Sequence, residues 1–280
     1  MEDFLAFMTA VGLNWVDSFR GDITRYAIAA PLAWLLICVL LAPLLKGRKI
    51  RPDTPPMKQA FMELVCSVRS VAVFSTVSVA LFVMNKTGLL WGRPFREGVD
   101  GGIAWFAAGL VLTILAHDAY FYWAHRAMHH PRLFRVFHRR HHRSNNPTPF
   151  TAYSFDLAEA AVMASFSVLW LIMVPVPWPA FGIFMIHQIA RNVLGHSGYE
   201  LFPARRDGRP LFDWMTTVTH HDLHHAQAGY NYGLYFTWWD RMMGTEHPQY
   251  HARFAAAVRK PLVEPAPDGA VARVSRSMLV

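Results

Sequence analysis

Long apolar stretches constrain the fold of this chain more than any other feature of its sequence. Four of them have about the twenty residues that a helix needs to cross the hydrocarbon core of a membrane. They run over 26–45, 61–84, 103–123 and 157–176. A fifth, 180–190, is shorter and follows the turn VPVPWP. We therefore predict an all-α protein with an integral membrane stem of four to five apolar helices, the last being the return arm of a hairpin.

Charged residues are scarce, and the basic ones are concentrated between the apolar stretches. Hydrophobic residues make up 53% of the chain and charged residues 16%, with a net charge of +8. With this apolar content, the positive charge favours a membrane surface over nucleic acid as a partner. Basic residues predominate in 46–58 and in 124–150. The positive-inside rule therefore places these segments and the C-terminal third in the cytoplasm.

These patterns divide the chain into six segments. They are an N-terminal segment (1–25), the first transmembrane helices (26–123), a cytoplasmic histidine-rich segment (124–150), a transmembrane hairpin (151–195), a cytoplasmic cap (196–250) and a tail that is a candidate for disorder (251–280). The arginine-rich and alanine-rich composition suggests a bacterium with a GC-rich genome. The expected location is the bacterial inner membrane.

Histidines occur in three groups with helical spacing. HxxxH occurs at His125 and His129, and HxxHH occurs at His138, His141 and His142 and again at His221, His224 and His225. Residues three and four apart lie on one face of a helix, about 5.4 Å apart along its axis. Neutral imidazole is a common ligand of zinc, copper, iron and nickel. A single zinc site takes about four ligands, so eight clustered histidines favour two metal ions.

Five further residues are candidates near this centre. His196, in NVLGHSGYE, follows the fifth apolar stretch and is a ninth candidate ligand. Asn192, His117, Asp118 and Asp222 are candidates either for ligands or for hydrogen-bond partners of ligands. The second role is expected because metal-bound histidines usually donate their other ring nitrogen to a carboxylate or carbonyl group.

Two sets of residues are expected to support the centre without binding the metal. Asp156, Glu159 and Asp240 are candidates for accepting hydrogen bonds from ligand histidines. Tyr232, Tyr235 and Trp238 are candidates for lining a substrate channel, although aromatic residues at this depth also serve as interfacial anchors.

Five motifs occur together in one order: HDAYFYWAHRAMHH, HHRSNNPTPF, NVLGHSGYE, THHDLHH and NYGLYFTWWDRMMGTEHPQY. Together they resemble the fatty acid hydroxylase/sterol desaturase superfamily over about residues 110 to 250. HRSNNPTPF and GYELFP are most similar to its C-5 sterol desaturase branch. The pair Arg139–Arg140 departs from the pattern, where a lysine and an apolar residue are more usual, which bears on substrate or partner preference. The resemblance implies two non-haem iron ions, O₂ as co-substrate and a cytoplasmic helical cap that holds the metals.

The resemblance also implies oxidation of an unactivated C–H bond in a lipid. Sterols, fatty acyl chains and isoprenoids all fit an apolar stem, and the product is an alcohol or an alkene. No fingerprint for NAD(P)H or flavin follows a strand pattern, and no CxxC or haem-attachment motif occurs. We therefore expect an external electron donor of ferredoxin or cytochrome type, which the basic residues of 132–143 would dock if it is acidic. Positive-inside topology also explains these basic residues.

Two other classes of protein use similar residues. A histidine-rich membrane metal transporter or sensor is one, but transporter ligands usually lie within the spans near the midplane. Here the histidines lie at the predicted ends of the spans and outside them. A zinc-dependent membrane hydrolase is the other, but HExxH and a comparably placed glutamate are absent. The sequence therefore favours an oxygenase.

Overall fold

The computed structural model describes residues 1–89, 102–260 and 262, and the predicted all-α fold is confirmed for this part of the chain. The α-helices are α1 (Glu2–Ala33), α2 (Ala42–Leu45), α3 (Met57–Lys86), α4 (Gly102–Met128), α5 (Pro131–Phe137), α6 (Leu157–Met173), α7 (Trp178–Gly195), α8 (Val218–Ala226), α9 (Trp238–Met242) and α10 (Tyr250–Ala257). A π-helix, Trp34–Leu40, continues α1. Short 3-10 helices cover Lys46–Arg48, His141–Arg143 and Pro149–Tyr153.

Three helical segments of the described chain are long and apolar enough to cross a membrane. They are Glu2–Leu40, Met57–Lys86 and Gly102–Met128. Helices α6 and α7 have 17 and 18 residues and form the two arms of the predicted hairpin. Large hydrophobic side chains such as Ile103 and Met173 point away from the protein. An outward-facing apolar surface on long helices is what a lipid environment requires, so the protein is an integral membrane protein.

The first helix begins earlier than the hydropathy pattern predicts. Residues 2–25, which the sequence sets apart as an N-terminal segment, form the first part of α1. Asp17, Arg20, Asp22 and Arg25 lower the mean hydropathy of this part, although nothing in it breaks a helix. Pro31 lacks a backbone N–H and disturbs the helical hydrogen bonds, and the π-helix follows three residues later.

Five helices of the described chain close a ring, which we call the stem. Helix α1 packs against α3 and α7, α3 against α6, α6 against α4, and α4 against α7. Trp15 Nε1 donates a hydrogen bond to Thr76 Oγ1 at 3.1 Å, so α1 and α3 lie side by side. At the other end of α1, the Tyr26 hydroxyl donates to the Phe150 carbonyl oxygen at 2.9 Å. The first helix therefore reaches the loop that follows the second histidine group.

A small residue allows the hairpin turn to meet α4. A β-carbon at Gly109 would lie 3.2 Å from Cδ of Pro177 and 3.6 Å from Cγ1 of Val176. Trp105 Nε1 donates to the Pro175 carbonyl oxygen at 3.0 Å on the same side. These contacts hold α6 and α7 against α4. The C-terminal ends of α4 and α7 thus lie on the same side of the stem.

Helices α5, α8, α9 and α10 belong to a cap, which we define as residues 124–153 and 196–260, whereas α2 and the 3-10 helix Lys46–Arg48 lie in the segment between α1 and α3. Helix α10 packs on α8, with Phe254 and Tyr250 buried against Leu223. Residues 251–257, predicted as the beginning of a tail, are therefore part of an ordered helix. The rest of the predicted tail, from 263 to 280, lies outside the described residues.

Candidate metal centre

The described part of the chain gathers nine histidines into two adjacent clusters. We call the first cluster His125, His129, His138, His142 and His224, and the second cluster His141, His196, His221 and His225. Within each cluster, one possible ligand atom per residue lies within 4.8 Å of all the others. The second cluster is buried throughout, and the first is partly open to solvent at His129 and slightly at His142, which is 9% exposed. The two clusters contain the nine histidines that the sequence predicts as ligands.

Each HxxHH motif divides between the two clusters. In the loop after α5, His138 and His142 belong to the first cluster, and His141 belongs to the second. In α8 the division is reversed, because His221 and His225 belong to the second cluster and His224 to the first. The i,i+4 pair of each motif thus serves one cluster, and the histidine between them serves the other.

Backbone carbonyl groups fix the orientation of three rings. The Nδ1 atom of His125 donates to the Tyr232 carbonyl oxygen at 2.9 Å. His224 Nδ1 donates to the Tyr230 carbonyl oxygen at 2.7 Å, and His196 Nδ1 donates to that of Asn192 at 2.7 Å. A carbonyl oxygen only accepts, so each Nδ1 carries the proton and each Nε2 presents a lone pair. A lone pair at Nε2 is the ligand that a metal ion needs.

Glu159 fixes the orientation of a fourth ring, that of His138, through its Nδ1 atom. When Glu159 is ionised, His138 Nδ1 donates to Glu159 Oε1 at 2.7 Å, and both side chains are buried. His138 Nε2 then lies 2.9 Å from His125 Nε2, with a lone pair on each atom. Two lone pairs at this distance repel each other unless a cation lies beside both. The donor set of the first cluster therefore fits a metal ion.

The other distances between ring nitrogens follow the same pattern. His142 Nε2 lies 2.9 Å from His224 Nε2 and 3.2 Å from His129 Nε2. In the second cluster, His196 Nε2 lies 2.9 Å from His221 Nε2, and His225 Nε2 lies 3.2 Å from both. Two nitrogen ligands at right angles, each about 2.1 Å from one ion, would lie about 3.0 Å apart. Both clusters therefore have the spacing of nitrogens that share an ion.

Burial keeps the imidazole rings of the cap neutral. It lowers the pKa of His142 to about 2. It also lowers the pKa of His196 to about 4, although the hydrogen bond to Asn192 opposes this shift. Burial, followed by the charges of neighbouring histidines, holds the pKa of His141 and of His225 well below the usual value. At neutral pH these rings are therefore in the form that binds metal ions.

The loop that carries two of the carbonyl partners is fastened by Asp240. Its Oδ1 atom accepts from the Tyr232 amide at 2.8 Å, and its Oδ2 atom accepts from the Gly233 amide at 2.9 Å. A β-carbon at Gly233 would lie 2.6 Å from the Phe236 carbonyl oxygen, so only glycine fits there. Asp240, predicted as a direct partner of a ligand, thus acts on the loop that orients His125.

The other candidate ligands lie outside both clusters. Asn192 supports His196 through its backbone carbonyl group, while its side chain donates to the Ala152 carbonyl oxygen at 2.8 Å. The His117 ring lies in the stem, with Nδ1 2.9 Å from the Tyr235 hydroxyl. Asp118 accepts from the Tyr235 amide at 2.8 Å. In the structure these groups hold helices and loops together near the clusters.

Asp222 pairs with an arginine from the segment between α1 and α3. Arg51 Nε donates to Asp222 Oδ1 at 2.8 Å, and Arg51 Nη2 donates to the Asp222 carbonyl oxygen at 3.0 Å. Burial raises the pKa of the Asp222 carboxyl group, and the charge of Arg51 opposes that shift. Because Asp222 lies between the histidines of α8, Arg51 holds a helix that contributes to both clusters.

A cavity of about 1100 Å³ lies inside the stem. Much of its wall is apolar, with residues that include Phe106, Met163, Phe166, Leu171, Phe181 and Phe184. Along α7 it extends from Trp178 to Asn192, which corresponds to about 21 Å of helix. Phe121 and Phe155 line it next to the clusters, because their rings lie 5.1 Å from that of His125 and 5.4 Å from that of His141. The cavity therefore approaches both clusters from the stem.

The three aromatic residues predicted to line a substrate channel are absent from the wall of this cavity. The ring of Tyr232 lies 5.1 Å from that of His129 and packs on the first cluster. Tyr235 does not line the cavity, but its hydroxyl group lies 2.9 Å from Nδ1 of His117, which does. Trp238 is exposed and stacks on Phe236 with ring centres 4.3 Å apart.

The sequence analysis did not identify two features of the site: the backbone carbonyl groups that orient the histidine rings, and the polar wall of the cavity. The carbonyl groups of Tyr230 and Tyr232 have no sequence signal, because every residue has a carbonyl group. One wall of the cavity did have a signal: polar or small residues recur on α1 at spacings of three and four, from Asn14 to Arg25. Such spacing identifies one helical face.

Comparisons with known proteins agree with this geometry. The family model for fatty acid hydroxylase matches residues 110–245. Cholesterol 25-hydroxylase of Rattus norvegicus is 28% identical over 82% of this chain and 76% of its own length. A Delta(7)-sterol 5(6)-desaturase of Gibberella zeae is 26% identical over 67% of this chain and 51% of its own length. Lathosterol oxidase of Mus musculus is 26% identical over 68% of this chain and 62% of its own length. No solved structure matched the chain.

Proposed function

Since this chain belongs to the fatty acid hydroxylase/sterol desaturase superfamily, we propose that its two clusters hold two iron ions that use O₂ to oxidise a lipid. The protein is a membrane lipid hydroxylase or desaturase, and hence an oxidoreductase. The proposal that the clusters hold metal ions rests mainly on two ring nitrogens. Nε2 of His125 and Nε2 of His138 face each other at 2.9 Å, each with a lone pair. A metal ion bound to both nitrogens turns the repulsion between these lone pairs into coordination.

The residues of the chain have separate roles in this proposal. The nine histidines hold the ions, and the carbonyl groups and Glu159 hold the rings. Reduced iron with O₂ supplies an oxidant for a C–H bond that has no acidity for a general base to use. Burial of the clusters limits the access of water to the reacting groups. A lipid in the cavity would lie next to Phe121 and Phe155, beside both clusters.

We infer that the substrate is a single lipid held in the stem. A cavity of about 1100 Å³ that follows about 21 Å of α7 has the size and length of such a molecule. The names of the relatives state sterol substrates, which makes a sterol or a related isoprenoid the first class to test, ahead of fatty acyl chains. The product is an alcohol, which keeps one oxygen atom from O₂, or an alkene, which keeps none.

Electrons come from a separate carrier in this proposal. Arg132, Arg135, Arg139 and Arg143 are exposed on the cap near the clusters. They form a surface for an acidic ferredoxin-type or cytochrome-type donor. The positive-inside bias supports a cytoplasmic position for the cap, and the composition supports a bacterial inner membrane.

The test is a single turnover of the purified protein. Metal content is measured first, and the protein is then reduced without oxygen, given a mixture of membrane lipids and exposed to ¹⁸O₂. We expect two irons per chain, oxygen uptake, and either a lipid that contains one ¹⁸O atom or a lipid that has lost two hydrogens. One zinc ion and no oxygen uptake would exclude the oxygenase. Comparison of lipids from a deletion strain and its parent identifies the natural substrate.

A further inference from the structure

Helix α1 presents a polar face to the cavity. This face, which we call the polar stripe, consists of Asn14, Asp17, Ser18, Gly21, Asp22 and Arg25. On other sides of the same helix, Leu13 and Val16 are exposed. Arg20 and Thr24 are exposed on that side as well, so this part of α1 has polar residues on both sides, and those of the polar stripe are the ones that line the cavity. Ionisable residues inside a membrane stem are costly and mark functional sites.

Much of the hydrogen-bonding capacity of the polar stripe is unused. Asp22 and Arg25 pair with each other. Asn14 Oδ1 is buried without a partner among the described residues, and the side chains of the exposed Asp17 and the half-buried Ser18 form no hydrogen bond with those residues. Buried polar atoms in native proteins are nearly always paired, so the unpaired Asn14 oxygen on a cavity wall indicates a ligand or water.

Gln188 on α7 adds a donor near the inner end of the polar stripe. Its Oε1 atom accepts from the Tyr153 hydroxyl at 2.8 Å, and the Tyr153 ring stacks on that of Tyr26, next to Arg25. The Nε2 atom of Gln188 has no partner among the described residues. Gln188 precedes His196 by eight residues, about 12 Å along the helix. A polar group bound here would therefore lie a fixed distance from the second cluster.

The charges of the polar stripe discriminate between lipid head groups. It contains two carboxylates and one guanidinium, and the guanidinium is paired with Asp22. The carboxylate of a fatty acid would meet Asp17 and Asp22 and be repelled. A hydroxyl group can donate to the Asp22 carboxylate while it accepts from Arg25 or from Gln188 Nε2.

We propose that the polar stripe and Gln188 bind the hydroxyl group of a lipid alcohol and so determine which carbon of that lipid faces the clusters. This inference rests on the proposed function and specifies its substrate class: lipids with an uncharged hydroxyl group, in preference to free fatty acids.

The experiment compares two probes that differ only at the head group, 1-hexadecanol and hexadecanoate. Binding to the metal-loaded full-length protein in lipid nanodiscs is measured without oxygen. Because the alcohol gains a hydrogen bond to a charged group and avoids repulsion from the carboxylates, we expect it to bind at least about tenfold more tightly. Equal binding of the two probes, or tighter binding of hexadecanoate, would overturn the inference.

Two variants test the residues, and a third serves as a control. Asp22→Asn frees Arg25 and should reverse the preference toward hexadecanoate. Gln188→Leu should weaken hexadecanol binding about tenfold without improving hexadecanoate binding. Thr24→Val, at an exposed position of α1, should leave both affinities unchanged. Metal content equal to that of the parent shows that each variant is folded, and an unchanged ratio of affinities in Asp22→Asn contradicts the proposal.

The alcohol site and the proposed oxygenase can be refuted separately, because their failures give different results. Selective binding of the alcohol without any O₂-dependent product would refute the proposed oxygenase and leave the alcohol site in place. O₂-dependent oxidation of lipids together with preferred binding of the carboxylate would refute the alcohol site alone.

Discussion

The two histidine clusters differ in how firmly the described residues hold their rings. In the first, the Nδ1 atoms of His125, His138 and His224 donate to Tyr232, Glu159 and Tyr230. In the second, His196 has such a partner, whereas the Nδ1 atoms of His141 and His225 are buried without one. An anchored Nδ1 fixes both the tautomer and the orientation of the ring. The same motif, HxxHH, thus yields one rigid site and one more adaptable site.

The largest effect is expected from removal of a ligand. His138→Ala should abolish the ion of the first cluster, and His221→Ala that of the second. Each should lower product formation by at least about 100-fold, beyond the loss that removal of a hydrogen-bond partner causes. Metal analysis of each variant checks whether the other ion remains. His130→Asn is the control, because His130 is exposed and caps α5. Loss of both ions from both variants would show that the clusters are not independent.

A smaller effect is expected from removal of the carboxylate behind His138. Glu159→Ala should lower the metal affinity of the first cluster by about 10- to 100-fold and leave the second unchanged. Competition against a chelator of known affinity measures both values. Glu159→Gln keeps an oxygen acceptor and should have a milder effect. Equal weakening of the two clusters in Glu159→Ala would mean that this carboxylate does not act through His138.

The unaltered protein should release its two ions in two steps. The second cluster has fewer anchored rings, so its ion should leave at a chelator concentration about tenfold lower. Residual metal per chain, measured across a chelator series, gives the two midpoints. The same chelator series on Glu159→Ala assigns each step to a cluster. This variant should shift the midpoint of the more tightly bound ion, which is the ion of the first cluster. A single step that releases both ions would remove the distinction between the clusters.

The smallest effect is expected at Arg51, which supports α8 and therefore both clusters. Arg51→Ala leaves the buried Asp222 carboxylate unpaired and should lower stability by about 1–3 kcal/mol. The midpoint of thermal unfolding in detergent measures the loss, and chelator competition should show both clusters weakened to a similar extent. Lys58→Ala is the control, as an exposed basic residue of the same region. Selective weakening of one cluster would indicate that Arg51 acts on one end of α8 only.

Local patterns explain which features were predictable from the sequence. The apolar stretches and the HxxxH and HxxHH spacings are properties of neighbouring residues, so they identified the stem helices and eight of the nine histidines, and the position of His196 after the fifth apolar stretch added the ninth. The first helix was placed too late because hydropathy averages over all faces of a helix. In α1 the polar stripe faces a cavity while Leu13 and Val16 face outward, and the average conceals this arrangement.

The sequence by itself determined the membrane stem, the all-helical fold and the identity of the nine histidines. Only the tertiary structure decided how the histidines divide between two clusters, which groups anchor their rings, and that α1 lines a cavity with its polar face. The reason is that each of these depends on the relative position of distant segments. His142 and His224, for example, lie 82 residues apart in the chain, and their Nε2 atoms meet at 2.9 Å because α8 packs on the end of α7.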